Sequence, residues 1–482
     1  MLEKNNYRDI VLFCSELLQP EKRDLHQFLS GIAPFYNPEI IRIVTPAVKA
    51  KTLSNTLSGT SMNPIYNQKL LERFLGYVKF DTTSDPNSVS APSTVSQLRF
   101  AASLAHELQA LGAQNVVLHE CGVVMGVIPA SPGFEQAPSL GLIAHMDTSP
   151  EAAGAHVNAR RITYNGISQR LDKAGTKILS TEQFPELAAF AGRDLIVTDG
   201  STLLGADDKA GVSIIMTVAE FICTHRNLPH ATIKIAFTPD EEIGRGTEHF
   251  DLIAFGADYA FTVDGGERAT FDTNTFNAAV AHIEFFGVNV HPGTAKNKMR
   301  NALKAASEFI CSLPADEAPE NTDGWDGFFH PISLSGDVSH AVVQLLIRDH
   351  DDERFQLRKQ YLRDMAITHG VTSTLTISDQ YYNMARALRA HPEVLALARQ
   401  AYRDCGLEPI EKPVRGGTDG AWLTAQGLPC PNIFTGGMNF HSPFECLCIA
   451  DFEKAFEVVL RLCELSSKVG LLNRPMSQEH EQ

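Results

Sequence analysis

Short apolar runs that end in acids or histidines recur through the first half of the chain. Apolar runs of about four to eight residues are typical of buried β-strands. Because open α/β sheets place their sites at the C-terminal ends of strands, we expect these polar ends to converge on one cleft. The predicted strands are Leu140–Ala144, Leu195–Thr198, Ala231–Thr238 and Tyr259–Val263.

Helical spacing of apolar residues alternates with these strands, which is the pattern of an α/β fold. The predicted helices are Tyr66–Val78, Val95–Leu111, Val212–Phe221 and, near the end of the chain, Phe452–Leu465. Two further strands are predicted at Asn115–Leu118 and Val123–Ile128.

The pattern changes after about residue 275 and returns to helix–strand alternation from about Asn383. Strand–helix–strand–helix–strand units of this size form a small α+β layer. We therefore predict a main domain of residues 62–275 and 384–482, with an α+β domain of residues 276–383 inserted into it. The inserted elements are predicted as strands Ala279–Phe286, Val342–Ile347 and Val371–Ile377, and helices Arg300–Ser312 and Asp351–His369.

Residues 1–61 differ from the rest of the chain. One short helix is predicted at Ile10–Leu18, after which prolines interrupt the pattern repeatedly. Lys49–Ser61 is rich in serine and threonine and is interpreted as a linker. We interpret 1–61 as a disordered or loosely attached extension, or as a gene-start artefact, and expect the folded protein to begin near Met62.

Composition narrows the class of protein. A chain of 482 residues has room for two domains, and its net charge of −16 argues against a nucleic-acid partner. Nine scattered cysteines favour reduced thiols and a cytoplasmic location. No apolar run approaches the ~20 residues of a membrane helix, and acids interrupt the N-terminus where a secretory signal needs an apolar core. The oligomeric state is left open.

Candidate chemistry begins with two adjacent acids, Asp207 and Asp208, between a small-residue turn and a helix. Neighbouring carboxylates repel each other and resist burial unless a cation holds them. Two imidazoles and three carboxylates suit zinc, cobalt or manganese, and they fit two metals that share a carboxylate better than one tetrahedral zinc. The candidate ligands are His145, Asp207, Glu242, Asp264 and His441.

Two further carboxylates have predicted catalytic roles. Asp147 lies two residues beyond His145, where it can accept the second ring N–H and fix the tautomer. A metal-bound water has a pKa of about 7, and we assign Glu241 as the general base that takes its proton. The alternatives are ordinary: a histidine two residues before an aspartate is a common pattern, and paired acids such as Glu241 and Glu242 usually form a solvated face.

The motifs together resemble the peptidase T family of tripeptide aminopeptidases, within the two-zinc, lid-bearing metallopeptidase clan. The resemblance runs in order from Met62 to about Ser467 and leaves out the extension. The segments that carry it are His145–Asp147, Leu204–Gly211, Thr238–Gly246, Val263–Gly266, Gly287–Lys296, Arg348–Asp351, Tyr381–Met384, Arg415–Gly420 and Gly427–Asn432. It implies an α/β fold whose main domain is a mixed-sheet catalytic domain with a co-catalytic di-metal site, the inserted domain being a smaller α+β lid.

The resemblance also implies roles for the ligands. His145 and Asp264 would bind one zinc, Glu242 and His441 the other, and Asp207 would bridge them. The Asp207–Asp208 peptide bond would be cis.

Substrate contacts are implied as well. Arg348 would bind the C-terminal carboxylate of the peptide, since a guanidinium matches the two carboxylate oxygens. His291 would donate to the carbonyl oxygen in the tetrahedral state. Arg415 and Asn301 are weaker candidates. His291 and Arg348 lie on the lid, so closure would assemble the full site.

The leading hypothesis is an aminopeptidase that releases the N-terminal residue of tripeptides by attack of a metal-activated water, with two zinc ions per subunit and cobalt or manganese as substitutes. Its partners would be small peptides, with no nucleic acid and no membrane. A dipeptidase or an N-acyl-amino-acid hydrolase with the same metals is the nearest alternative. A noncatalytic metal- or peptide-binding protein is the alternative of a different class, and it would have no need of Glu241.

Overall fold

A computed structural model describes residues 64–366 and 371–468 of the chain. The predictions for residues 1–61, and for the end of the helix predicted to reach His369, lie outside these residues. Pro64–Lys69 form the first turns of a helix, and the described residues from Leu70 onward belong to one compact unit.

The helices in chain order are α1 (Pro64–Tyr77), α2 (Val95–Ala110), α3 (Ala206–Thr224), α4 (Leu252–Phe255), α5 (Ala302–Cys311), α6 (Asp352–Ala366), α7 (Ala385–Leu388), α8 (Pro392–Asp404), α9 (Asp419–Ala425) and α10 (Ile449–Ser466). The strands are β1 (Gln114–Leu118), β2 (Val124–Ile128), β3 (Leu140–His145), β4 (Arg160–Thr163), β5 (Ser168–Arg170), β6 (Ile178–Ser180), β7 (Asp194–Val197), β8 (Ile233–Thr238), β9 (Tyr259–Gly265), β10 (Phe271–Asp272), β11 (Asn274–Thr275), β12 (Asn277–Phe286), β13 (Phe328–Gly336), β14 (His340–Asp349), β15 (Thr372–Tyr381), β16 (Pro413–Val414), β17 (Asn432–Phe434), β18 (Gly437–Met438) and β19 (Cys446–Cys448).

The largest sheet has seven strands in the order β1-β2-β8-β3-β9-β17-β10. Its centre is parallel, because β3 pairs with β8 and β9 in the same direction and β9 pairs likewise with β17. Antiparallel pairs complete both edges. The predicted mixed α/β fold is confirmed.

Burial explains why the central strands read as continuous apolar runs. Every residue of β3 is buried, as expected for a parallel strand covered on both faces. Helix α3 packs on β3 and β9, and α10 packs on α3. The carboxyl ends of β3, β8 and β9 therefore lie together at one edge of the sheet.

A separate, antiparallel sheet of four strands contains the strands of residues 277–381, in the order β13-β14-β12-β15; it is called the four-stranded sheet below. Its buried residues, including Ile283, Phe285 and Leu345, pack with Phe309 of α5 and Phe355 of α6 in one hydrophobic cluster. The predicted elements form, but the order is strand–helix–strand–strand–helix–strand, with one strand more than predicted. Strand β13 was missed because Pro331 interrupts it at a register shift and its second half, including Ile332 and Leu334, is exposed.

The chain enters and leaves the sheet of β12–β15 at two adjacent points. The backbone N–H of Asn383 donates to Asn277 Oδ1 at 2.8 Å, and the N–H of Thr275 donates to Asn383 Oδ1 at 3.2 Å. Asn277 and Asn383 both donate from Nδ2 to the carbonyl of His350, at 3.4 and 3.0 Å. The entry and exit of the four-stranded sheet are thus held together by two asparagine side chains.

Two further observations concern the helices and the cysteines. No helix in the described ranges is both long and apolar enough to span a membrane. The eight cysteines within those ranges are all free thiols.

Candidate metal centre and active site

Three predicted ligands lie at the carboxyl edge of the central strands. His145 is the last residue of β3, and Asp264 is the last residue but one of β9. Strand β8 ends at Thr238, and a 3-10 turn of Glu241–Ile243 follows it and carries Glu242. The parallel centre of the sheet thus brings together side chains that are far apart in sequence.

Asp207 enters from the start of α3, where the backbone is irregular. Gly205 has the positive φ of 80°, and neither Asp207 (φ −86°, ψ 103°) nor Asp208 (φ −124°, ψ 35°) is helical. The peptide bond between the two aspartates is cis, as the resemblance implied.

The Asp207 carboxylate lies between the two histidines. Its Oδ1 is 2.8 Å from His145 Nε2, and its Oδ2 is 3.4 Å from His441 Nε2. On one side His145 Nε2 is 3.5 Å from Asp264 Oδ1, and on the other His441 Nε2 is 2.7 Å from Glu242 Oε2. The five side chains form two histidine–carboxylate pairs with one carboxylate between them, the arrangement that two metal ions sharing Asp207 would need.

The donor set fits divalent metal ions on two grounds. Ligand atoms of His145, Asp207 and Glu242 lie within 4.8 Å of one another, as do those of His145, Asp208 and Asp264. Glu242 Oε1 is buried and has no hydrogen-bond partner within the described part of the chain. A buried, unpartnered carboxylate oxygen is costly unless a cation is bound there.

Electrostatics favour the same interpretation. Burial, reinforced by the charge of Asp207, raises the pKa of Glu242 to about 8, and burial raises the pKa of Asp264 to about 6. Burial also acts to raise the pKa of Asp207, but hydrogen bonds with His145 and His441 outweigh it and hold that pKa below the ordinary value. Several buried carboxylates cannot all ionise side by side, and bound cations remove the conflict.

Asp147 organises the acids and faces His145. Its Oδ1 accepts a hydrogen bond from the backbone N–H of Glu241 at 3.0 Å, and its Oδ2 accepts one from that of Glu242 at 3.2 Å. The same Oδ1 is 3.3 Å from His145 Nδ1. Burial raises the pKa of Glu241 well above the ordinary value, and the charges of Asp264 and Asp419 add to this.

The residue before Glu241 also has a fixed conformation. Asp240 has a φ of 58°, in the left-handed region that few residues other than glycine adopt. Its carboxylate accepts hydrogen bonds from Gln97 Nε2 at 2.7 Å and from the backbone N–H of Ser93 at 2.6 Å, and Ser93 Oγ also donates to it. These contacts from α2 and its N-terminal flank fix the direction of the turn that carries Glu241.

Sequence reasoning missed two acids of this site, Glu445 and Glu151, and gave Asp208 no role of its own. Glu445 is buried and accepts hydrogen bonds from the turn that carries Asp207. Glu151 Oε2 is 3.3 Å from His441 Nδ1, which matches the placing of Asp147 beside His145. Asp208 accepts from the backbone N–H groups of His145 at 3.3 Å and Gly211 at 3.0 Å. Asp208 stood beside a predicted ligand, whereas Glu445 lies more than two hundred residues from the turn that it contacts.

The predicted substrate-binding residues lie outside this cluster. Arg348, on β14, donates from Nη1 to the carbonyls of Ala279 at 3.1 Å and Ile347 at 3.0 Å, with its guanidinium 5.7 Å from the ring centre of Tyr381. It makes no ion pair among the described residues.

His291 and Asn301 have local contacts. His291 is exposed, and its Nδ1 accepts from the backbone N–H of Gly293 at 3.1 Å. Asn301 caps α5 by accepting from the N–H of Lys304 at 3.0 Å. Their contact with substrate stays a prediction.

Arg415 has a contact that the sequence did not suggest. Its Nη1 donates to the carbonyls of Gly324 at 3.2 Å and Asp326 at 2.8 Å, and its Nη2 donates to Thr322 Oγ1 at 2.7 Å. These donors are occupied by the loop before β13, so in this structure Arg415 joins that loop to the segment before α9.

Comparison with known proteins identifies the family of the chain. The model of peptidase family M20/M25/M40 matches residues 192–465, a range that includes Asp207, Glu242, Asp264 and His441. The chain therefore belongs to peptidase family M20/M25/M40, a family of hydrolases.

Individual relatives narrow this further. Peptidase T of Parabacteroides distasonis is 46% identical over 403 residues, which cover 83% of this chain and 99% of that protein. The predicted resemblance to the peptidase T family is thereby confirmed. A tripeptidase structure from Staphylococcus aureus has a TM-score of 0.66 at 20% identity, covering 83% of this chain and 99% of that one. A dinuclear metal binding peptidase of family M20 from Bacillus subtilis has a TM-score of 0.57 at 13% identity, covering 84% and 100%.

Proposed function

We propose that this protein is a two-metal aminopeptidase that releases the N-terminal residue of tripeptides. Zinc is the metal proposed for both sites, with Asp207 shared between them and cobalt or manganese as substitutes. The placing of the Asp207 carboxylate between His145 and His441, each paired with a further acid, carries the proposal. The peptidase T relatives, matched over nearly their whole length, support the choice of substrate.

The residues around the cluster have defined tasks in this reaction. Bound divalent metal supplies an acidified water and polarises a carbonyl. Glu241 is the general base, since it adjoins the proposed ligand Glu242 and its backbone N–H is held by Asp147 beside the cluster. Asp147 holds the N–H groups of Glu241 and Glu242 and faces the ring of His145, so one buried carboxylate aligns base and ligands.

The four-stranded sheet is proposed as a lid, inserted at residues 276–383 into a catalytic domain of residues 62–275 and 384–482. Arg348 carries a positive charge without a carboxylate partner among the described residues, which suits it to the C-terminal carboxylate of a peptide. His291 is proposed to stabilise the tetrahedral state. Arg348 and His291 make no contact with the metal cluster in this structure, so closure of the lid is needed to complete the site.

A peptide-length series combined with metal analysis tests this function. Purified protein, loaded with zinc, is assayed on one amino-acid sequence presented as di-, tri- and tetrapeptide and as an N-acylated amino acid. Two metal ions per chain and a kcat/KM highest for the tripeptide are expected. Preference for the dipeptide or the acylated amino acid would replace this function with one of the alternatives, and binding of metal without any turnover would indicate a noncatalytic protein.

A cytoplasmic location is proposed from the scattered cysteines. The eight in the described ranges are free thiols, as in proteins of reducing compartments.

A further inference from the structure

Glu445 joins the two loops that carry the predicted ligands Asp207 and His441. It is 1% exposed and lies between His441 and the start of α10. Its Oε2 accepts hydrogen bonds from the backbone N–H groups of Leu204 at 2.6 Å and Gly205 at 2.7 Å, and its Oε1 accepts one from that of Asp207 at 3.0 Å. One carboxylate thus accepts from three backbone N–H groups of a single four-residue turn.

A carboxylate suits this position better than any neutral side chain. Residues that open a helix leave backbone N–H groups without intrahelical partners, and buried N–H groups must find acceptors. An ionised carboxylate is an acceptor on both oxygens, whereas a glutamine amide presents a donor in place of one of them. With its oxygen kept on Leu204 and Gly205, a glutamine at 445 would turn its NH₂ group toward the N–H of Asp207, and two donors would face each other.

The backbone of Glu445 is also held by hydrogen bonds. Its backbone N–H donates to the carbonyl of Ser442 at 3.1 Å, and Ser442 Oγ donates to the carbonyl of Asn439 at 2.7 Å. His441 lies within this closed turn and holds a φ of 58°. A displacement of Glu445 would therefore change the separation of Asp207 Oδ2 and His441 Nε2, which is 3.4 Å here.

We propose that Glu445 is a positioning residue, which fixes the carboxylate shared by the two metals relative to His441 and so sets the affinity of the site for its second metal ion. The proposal rests on the two-metal function given above. Metal–ligand distances tolerate deviations of only about 0.2 Å, so the loss of one hydrogen bond to Asp207 is sufficient to disturb the site.

Titration of the metal-free full-length protein with Co²⁺ tests the proposal, with absorption spectra and calorimetry as readouts. In Glu445→Gln we expect the first ion to bind nearly as in the wild type and the affinity for the second to fall about 10–100-fold, with an altered cobalt spectrum. The matched control is Asp451→Asn, which removes another buried carboxylate of the same segment. Asp451 pairs with Arg193 and Arg268 and makes none of the hydrogen bonds to the Asp207 turn, so its loss should lower stability and leave cobalt affinity unchanged.

The outcomes separate this proposal from the two-metal function itself. Wild-type protein that binds fewer than two Co²⁺ ions would overturn the function, and the role of Glu445 with it. If the wild type binds two ions and Glu445→Gln binds both with unchanged affinity and spectrum, the positioning role is overturned while the function stands. If Glu445→Gln does not fold, Glu445→Asp decides: it keeps the charge but is one methylene shorter, and wild-type affinity for the second ion in that variant would equally overturn the proposal.

Discussion

Gly211, in the second turn of α3, is the position where a single added methyl group should damage the candidate metal centre most directly. A Cβ atom there would lie 1.8 Å from the carbonyl oxygen of Val263 and 2.5 Å from Asp208 Oδ1. The first of these atoms is backbone of β9, next to Asp264, and it cannot turn away as a flexible side chain would. Gly211→Ala therefore forces α3 and β9 apart.

The size of the displacement follows from the contact distance. Non-bonded carbon and oxygen atoms rarely approach closer than about 3 Å, so α3 must retreat from β9 by more than about 1 Å. Metal sites tolerate only about 0.2 Å in ligand distances, so the move separates Asp207 from Asp264 well beyond that limit. We expect a loss of at least about 100-fold in metal affinity and of about 1–3 kcal/mol or more in stability.

The assay is metal content after dialysis against buffered zinc, together with the thermal midpoint of the metal-free protein. Gly76→Ala is the matched control: it also lies in a helix, nothing lies within 4 Å of its added Cβ, and it should stabilise by about 0.5–1 kcal/mol. A Gly211→Ala protein with two zinc ions per chain and wild-type turnover would refute the reasoning.

Three other changes have defined outcomes. Glu241→Ala should lower kcat by about 10²–10⁴-fold and keep metal content near that of the wild type; if metal is lost as well, Glu241 is a ligand rather than a base. Arg348→Ala should weaken the binding of free tripeptides by about 2–5 kcal/mol, measured as a rise in KM, and should raise the KM of C-terminally amidated tripeptides less. An equal rise in KM for both substrates would contradict the role of Arg348 with the carboxylate. Burial raises the pKa of Asp272 to about 7 from the ordinary 3.8, with the charge of Asp264 adding to the rise. The folded protein thus holds this proton more tightly than the unfolded chain, and stability falls as pH rises from about 4 to 7. Asp272→Asn should remove that loss, so thermal midpoints in chelator should rise more at pH 8 than at pH 5, and an equal rise at both pH values would contradict the assignment.

The sequence predicted the parts of the fold that depend on regular burial. The central strands β3, β8 and β9 are buried throughout or nearly so, and their apolar runs were read at almost the right bounds. Strand β13 was not predicted, because Pro331 interrupts the pattern and leaves only the short alternation of residues 332–335, whose apolar members are exposed. The short strands β4, β5 and β6 were missed because each has only three or four residues, most of them exposed or half-buried, and so gives no apolar run.

Some residues of the candidate site could be predicted from the sequence and others could not. Acids and histidines at strand ends could be found because a rule of the fold says where such ends meet. Contacts that depend on a particular backbone turn could not. The hydrogen bonds of Glu445 to the Asp207 turn join residues more than two hundred positions apart and follow no spacing rule. Arg415 illustrates the same point, since no spacing rule indicated that its donors bind the loop before β13, and its contact with substrate stays a prediction.

The paired crossings at Asn277 and Asn383 have a consequence for how this chain can change in length. Entry and exit of the sheet of β12–β15 are joined by a hydrogen bond of 2.8 Å, so the chain enters and leaves that whole segment at adjacent backbone positions. A bridge of very few residues would span the gap left by its removal, and a segment of another size could be spliced in its place without moving the strand ends that hold His145 and Asp264. The two asparagines thus mark a natural site for modular engineering of the enzyme.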